Sequence, residues 1–201
     1  MAALPRSPTA RRTLALTAVL AAMAAILLAA ALAIFPGADD EPAPSAIGGP
    51  FRLTAQDGRT VTEQDLVGRP TLVFFGFTRC PDVCPTALAE ISAIFERLGP
   101  DKKIAAMFVS VDPERDTPAL LADFLSNFDR RIVGLAGSPE ATQAMQKGYR
   151  VYAKKVPTKD GDYTMDHTAI VYLMDKRGRF VNAFNIARPP DEAAKELAKY
   201  L

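Results

Sequence analysis

Cys80 and Cys84 are the two cysteines of this sequence, and His167 is its one histidine. Thiolate sulfur and imidazole nitrogen are the principal soft and borderline metal donors of proteins. Any thiol- or imidazole-based metal or redox site here is therefore built from these three residues. The cysteines stand four positions apart in Phe77-Thr-Arg-Cys80-Pro-Asp-Val-Cys84-Pro85. In a first helical turn that spacing sets two side chains about 5 to 6 Å apart on one face. Both sulfurs can then hold one ion, or move slightly and bond each other. Two thiolates with one imidazole suit copper, because soft sulfur holds Cu(I) at low coordination number and imidazole helps hold Cu(II). Zinc ordinarily takes a fourth protein ligand or a water, and calcium and magnesium take oxygens. Against this stand two plainer readings: a simple disulfide in an exported protein, and a lone histidine with no metal role.

The elements that must position these residues follow from the hydrophobic pattern. Thr71-Leu-Val-Phe-Phe75, bounded by Pro70 and Gly76, is a continuous apolar run of the kind found in a central strand covered on both faces. Leu88, Ile91, Ile94, Phe95 and Leu98 then share one helical stripe, with Glu90, Glu96 and Arg97 facing out. The cysteine pair thus lies where a strand passes into a helix. Pro85 as a helix-starting residue makes Cys84 the expected N-cap and puts Cys80 on the preceding loop, with a helical turn beginning from Pro81 as the alternative. The helix N-terminus is expected to favour thiolates there. His167 is placed at the start of an apolar strand, Thr168 to Met174, and Asp166 beside it is a candidate for orienting the imidazole. Asp112-Pro113 reads as a turn, and Asp116 or Thr117, ahead of Pro118, as a helix cap. Tyr163, Met165 and Met174 are accounted for by strand alternation, and none is assigned to the metal.

The remaining pattern completes an α/β domain from Phe51 to Leu201. Phe51 to Ala55 and Arg59 to Thr62 flank Gln56-Asp57-Gly58 as a hairpin. Ile104 to Val111 is a second buried strand and Ile132 to Leu135 a short third one. Helices open at Thr117-Pro118 and Ser138-Pro139. Thr168 to Met174 and Arg179 to Phe184 form an antiparallel hairpin, and Pro190 to Leu201 closes the chain as a helix. This order predicts a mixed sheet flanked by helices.

Ahead of this domain the sequence changes character. Arg6, Arg11 and Arg12 precede Thr13 to Phe35, 23 residues without a charge, and Asp39, Asp40 and Glu41 follow. As a helix that run is roughly 34 Å long, enough to cross a hydrocarbon core of about 30 Å. The charge asymmetry puts residues 1–12 in the cytoplasm and everything after the span on the far side. A cleaved signal peptide is the competing reading, but its apolar region is about 7 to 15 residues long. Residues 36–50, rich in proline and glycine, read as a tether. Over all 201 residues, 24 Lys and Arg nearly balance 23 Asp and Glu, so no whole-protein field exists to hold nucleic acid.

Three separated motifs carry a resemblance. Phe77-Thr-Arg-Cys80-Pro-Asp-Val-Cys84-Pro-Thr86, Ser110-Val-Asp-Pro-Glu-Arg-Asp-Thr-Pro118 and Asp166-His-Thr168 followed by Tyr172-Leu resemble the signatures of the SCO/SenC proteins, copper chaperones of cytochrome c oxidase assembly. The likeness covers Phe51 to about Leu201 and the single N-terminal anchor. It departs at Asp175-Lys176, where the family commonly has a proline in the turn. The resemblance implies a thioredoxin-like fold and one copper ion held by Cys80, Cys84 and His167, with Cys80 and Cys84 as the disulfide when oxidised. It also implies copper delivery to, or reduction of receiving cysteines at, the dinuclear copper site of oxidase subunit II, with other copper chaperones or thiol reductants as further partners. The short arginine-bearing N-terminus favours a bacterial inner membrane with the domain in the periplasm over a mitochondrial inner membrane. A different class of function stays open beside this one: a thiol-disulfide oxidoreductase in which Cys80 attacks and Cys84 resolves, or a tethered redox sensor.

Overall fold

The computed structural model of the protein describes residues 8–34 and 47–201. The first of these, α1 (Pro8–Ile34), is one continuous helix. Residues 1–7, Phe35 and most of the expected tether lie outside the described residues. The described side chains of α1 are Arg12 and those from Leu14 to Ala30; Leu14, Leu16, Leu20, Ile26 and Leu27 among them are exposed. Among the described residues no helix is long and apolar enough to cross a membrane.

The second unit begins earlier than the expected Phe51. Ile47 already packs against the core, and the Gly48 N–H donates to the Gly148 carbonyl at 2.9 Å. β1 (Arg52–Ala55) and β2 (Thr60–Thr62) form the expected hairpin, with Gly58 at φ +84° taking the left-handed turn position that a side chain would oppose. A 3-10 turn over Glu63–Leu66, absent from the sequence reading, follows under a Thr62 cap. Then come β3 (Thr71–Gly76), α2 (Val83–Leu98), β4 (Ala105–Ser110), α3 (Pro118–Leu125), β5 (Ile132–Ala136) and α4 (Pro139–Gly148). The chain ends with β6 (Ala153–Pro157), β7 (Tyr163–His167), β8 (Val171–Met174), β9 (Phe180–Ala183) and α5 (Pro190–Ala198).

Seven strands make one mixed sheet in the order β2-β1-β5-β4-β3-β8-β9. β3, β4 and β5 are mutually parallel neighbours, and the outer pairs are antiparallel. This is the thioredoxin-like mixed α/β architecture expected. Every residue of β3 and β4 is buried, as the unbroken apolar runs require of strands covered on both faces. Phe74 meets Phe108 on one face, and Phe75 meets Tyr149 and Tyr172 on the other, because successive side chains alternate. The stripe of α2 packs as predicted: Leu88, Ile91, Ile94 and Phe95 are fully buried. β3 and β4, being parallel, end at the same edge of the sheet. The loop carrying the cysteines therefore lies beside the loop running from Ser110 to Thr117, which places the site.

Besides the 3-10 turn, a pair of strands was not expected from the sequence. β6 and β7 pair only with each other, as a two-stranded ribbon outside the main sheet. His167 is the last residue of that ribbon and not the first residue of an apolar strand; β8 starts at Val171.

Candidate metal centre

The turn after β3 puts the two sulfurs in different surroundings. α2 starts at Val83 with Asp82 as its N-cap, so Cys84 is the second helical residue and not the expected cap. Asp82 makes no side-chain capping bond. Cys80 does that work from the loop: its Sγ accepts the Cys84 N–H at 3.3 Å, which satisfies one of the open donors of the helix start. Cys84 itself is fully buried and points under the sheet edge, whereas Cys80 is half-buried. Gly76 makes room for it. A Cβ at position 76 would lie 2.8 Å from Cys84 Sγ and 2.6 Å from the Phe108 ring, both closer than packed atoms approach.

Burial decides the chemistry of Cys84. The helix start was expected to favour its thiolate, but desolvation outweighs that dipole and pushes the thiol up, and the hydrogen bond with Cys80 pushes in the same direction. In the reduced, metal-free protein Cys84 is a thiol at neutral pH. Metal capture must displace its proton, so apparent affinity rises with pH. The same shift gives an expected stability profile. An unfolded cysteine ionises near pH 8.5, while folded Cys84 keeps its proton above that pH. The folded state then binds more protons than the unfolded one, and stability falls as pH rises beyond about 8.5, by up to about 1.4 kcal/mol per unit for this one group. Urea melts of the reduced metal-free protein between pH 7.5 and 9.5 should show this decline, and Cys84→Ala should flatten it. An unchanged slope in the variant would mean that another group is responsible.

His167 arrives from the far end of the chain. Its Nε2 lies 3.8 Å from Cys84 Sγ, across a sequence separation of 83 residues. Its Nδ1 lies 3.1 Å from the Thr168 carbonyl. A carbonyl only accepts, so Nδ1 carries the proton and Nε2 presents its lone pair toward the sulfur. The ring stands edge-on to Phe77, with centroids 5.8 Å apart. Asp166, the candidate orienting group, is exposed, and strand alternation turns it to the opposite face of β7 from His167. The Thr168 carbonyl does the orienting instead.

The donor atoms of Cys80, Cys84 and His167 all lie within 4.8 Å of one another, close enough to converge on one ion. Cys80 and His167 border a cavity of about 260 Å³ shared with Phe77, Val83 and Met165, and Cys84 lies buried behind it. Two sulfurs and one nitrogen fit a single copper ion and leave no carboxylate ligand to favour a harder metal. Tyr163 and Met174 stay outside this cluster, as the alternation reading had them. Met165 borders the cavity without belonging to the donor set.

The acidic residues of the neighbouring loop have larger roles than the turn and cap they suggested. Thr117 does cap α3, accepting the Leu120 N–H. Asp116 is no cap. It is buried, and it accepts from the Thr78 N–H at 3.2 Å, the Thr78 hydroxyl at 2.6 Å and the Ser110 hydroxyl at 2.6 Å. The loop leading to Cys80 is thereby fixed to the end of β4. Asp112, also buried, accepts from Arg115 Nε at 2.5 Å and from the Tyr163 hydroxyl at 2.8 Å, tying the His167 ribbon to the same loop. Arg79, Arg115 and Asp162 join this network and were not singled out in the sequence. The one available signal was Arg79 standing directly before Cys80.

Comparison with known proteins places this geometry. The family model described as SCO1/SenC matches residues 39–201. The human mitochondrial protein SCO1 homolog is 37% identical over 161 residues, which are 77% of this chain and 53% of that protein. A SCO2-like protein of Rickettsia prowazekii is 38% identical over 154 residues, 75% of this chain and 73% of that protein. The chain thus spans about half the length of the plant and human mitochondrial relatives it matches. The structure of Bradyrhizobium japonicum ScoI with copper bound superimposes with a TM-score of 0.75 at 60% identity, covering 77% of this chain and 99% of that one. Motifs, fold and family match agree, and the chain belongs to the SCO1/SenC family.

Proposed function

We propose that this protein is a membrane-anchored copper metallochaperone. It delivers copper to the dinuclear copper site of cytochrome c oxidase subunit II, reduces the disulfide of the receiving cysteines there, or does both. The observation that carries this reading is the convergence of Cys80, Cys84 and His167, the chain's entire set of thiol and imidazole donors, within 4.8 Å. Copper is the cargo. Cys84 supplies a desolvated sulfur from the core, Cys80 a half-exposed sulfur at the rim and His167 a nitrogen from the ribbon. Release to a partner proceeds by ligand exchange, beginning at the accessible Cys80 and at His167. Copper(I) bound to sulfur passes readily between thiolates because two- and three-coordinate states are both accessible to it.

The same pair also suits thiol exchange. Cys80, the exposed sulfur, attacks a partner disulfide, and Cys84 then displaces the partner from the mixed disulfide. Two electrons and two protons pass to the partner's thiols, and Cys80–Cys84 becomes the disulfide. Anchoring rests on Thr13 to Phe35 and on the basic residues before it. An uncharged apolar run of that length in the sequence is suited to lipid. In a bacterial inner membrane, the orientation set by those basic residues puts the domain in the periplasm.

The test is transfer. The reduced chain is loaded with one equivalent of Cu(I), mixed with the soluble domain of an oxidase subunit II, and the two are separated and assayed for metal. Copper is expected on the recipient, and from a Cys84→Ser donor none is expected to be retained or passed. Stable binding to the donor with no transfer to the recipient would leave a copper-binding protein without the chaperone role.

A further inference from the structure

The three ligands belong to three separate bodies: Cys84 to the core helix α2, Cys80 to the loop before it, and His167 to the ribbon β6–β7. That ribbon has no strand partner in the main sheet. A two-stranded ribbon is marginal alone, so the place of His167 depends on what fastens the ribbon down. Arg115 provides the inner fastening. Its Nη1 donates to Asp162 Oδ1 at 3.0 Å and to the Tyr163 carbonyl at 2.8 Å, and its guanidinium lies 3.6 Å from the Tyr163 ring centre. Lys155 adds an exposed pair with Glu114 on the same loop. These contacts hold the ribbon to the loop after β4, and Asp116 holds that loop to Thr78. Neither joins the ribbon directly to the cysteine segment.

One carboxylate closes the ring. Asp162 Oδ2 accepts from Arg79 Nη1 at 3.0 Å while Oδ1 accepts from Arg115. Arg79 immediately precedes Cys80, and Asp162 immediately precedes β7, the strand that ends in His167. Among the described residues this is the one ion pair between the cysteine loop and the ribbon. We infer that Asp162 is a positioning residue for copper: by bridging Arg79 and Arg115 it sets His167 at coordinating distance from the cysteine pair. The inference rests on the copper-binding reading above. Arg79 and Asp162 are 58% and 48% exposed, in contrast to the Arg115–Asp112 pair at 12% and 0%. An exposed bridge contributes little to folding and is weakened by salt. It can therefore open without disturbing the fold, which leaves the histidine as the ligand most easily detached.

The experiment uses the full chain and four variants, Asp162→Asn, Asp162→Glu, Arg79→Gln and His167→Ala, with the double variant Asp162→Asn/His167→Ala. Cu(II) is titrated against each under competition, and the thiolate-to-copper charge-transfer band is recorded. Asp162→Asn and Arg79→Gln are each expected to weaken Cu(II) binding about 10-fold and to shift the band toward that of His167→Ala, with an unchanged melting midpoint. Asp162→Glu restores most of the effect. In the His167→Ala background Asp162→Asn should change nothing further, because its action runs through the histidine. An equal loss in that background, or wild-type binding and spectrum in Asp162→Asn, overturns the inference while leaving copper binding by the wild type intact. Failure of the wild type to bind copper overturns the reading beneath both. Amide exchange of the metal-free chain supplies a readout independent of copper: β6–β7 should exchange faster in Asp162→Asn, and unchanged protection there counts against the bridge.

Discussion

Replacing His167 by alanine is expected to separate the two oxidation states of copper. Cu(I) is content with two thiolates, whereas Cu(II) draws on the imidazole. A four-ligand structural zinc site binds with about 10 to 16 kcal/mol, or roughly 2.5 to 4 kcal/mol per ligand. Losing the histidine should therefore weaken Cu(II) binding on the order of 10²- to 10³-fold. Cu(I) affinity should fall by less than about 10-fold, since both sulfurs keep their places: Cys84 is fixed by the core and Cys80 by its contact with the Cys84 N–H. Competition with a Cu(I)-specific and a Cu(II)-specific chelator measures the two constants separately. Equal losses for both ions would mean that His167 holds the loop together and is not a ligand of the higher state.

The second large effect is oxidation. The Cys80 and Cys84 sulfurs lie within the 4.8 Å that spans the donor set, so a disulfide needs only a small movement of the half-buried Cys80 side chain, which gives up its contact with the Cys84 N–H. Once formed it leaves one nitrogen and no thiolate. By the same share per ligand, two lost sulfurs cost about 5 to 8 kcal/mol, an affinity drop of about 10⁴-fold or more. The fully oxidised chain should emerge from gel filtration without copper, and a dithiol reductant should restore one equivalent. Stoichiometric, tightly held copper on the oxidised protein would sink the prediction. Copper loading and thiol exchange are thus alternatives of a single pair of atoms, which is why neither can be assigned to the chain without the other.

The parts of the fold that were legible beforehand are those whose pattern is local. Leu72 to Phe75 and the stripe from Leu88 to Phe95 announce burial by type and spacing alone, and all of them are buried. The ribbon was not legible. Every residue of Ala153-Lys-Lys-Val-Pro157 and Tyr163-Thr-Met-Asp-His167 is exposed or half-exposed, and the alternation at Tyr163 and Met165 does not by itself mark a strand that leaves the main sheet. What holds them is charge on loops far away in sequence. Asp116 failed for the same reason. A carboxylate before Thr-Pro has a ready local explanation as a cap, and nothing in the sequence shows that its partner Thr78 is 38 residues distant. The ligands themselves were identifiable because they are scarce, and scarcity is a property of composition that needs no geometry. Their supporting groups, Arg79, Arg115 and Asp162, are common residue types and carry no such mark.

The sequence separation of 83 between Cys84 and His167 also sets an order in time. A ribosome adding roughly 5 to 20 residues per second finishes the cysteine pair about 4 to 17 s before it reaches the histidine. Throughout that interval the nascent chain offers two thiols and no imidazole, although β3 and β4, whose residues pack against Cys84, are already made by Ser110. The complete donor set exists only once His167 has been added, so any chemistry of the pair before then is thiol chemistry without the imidazole.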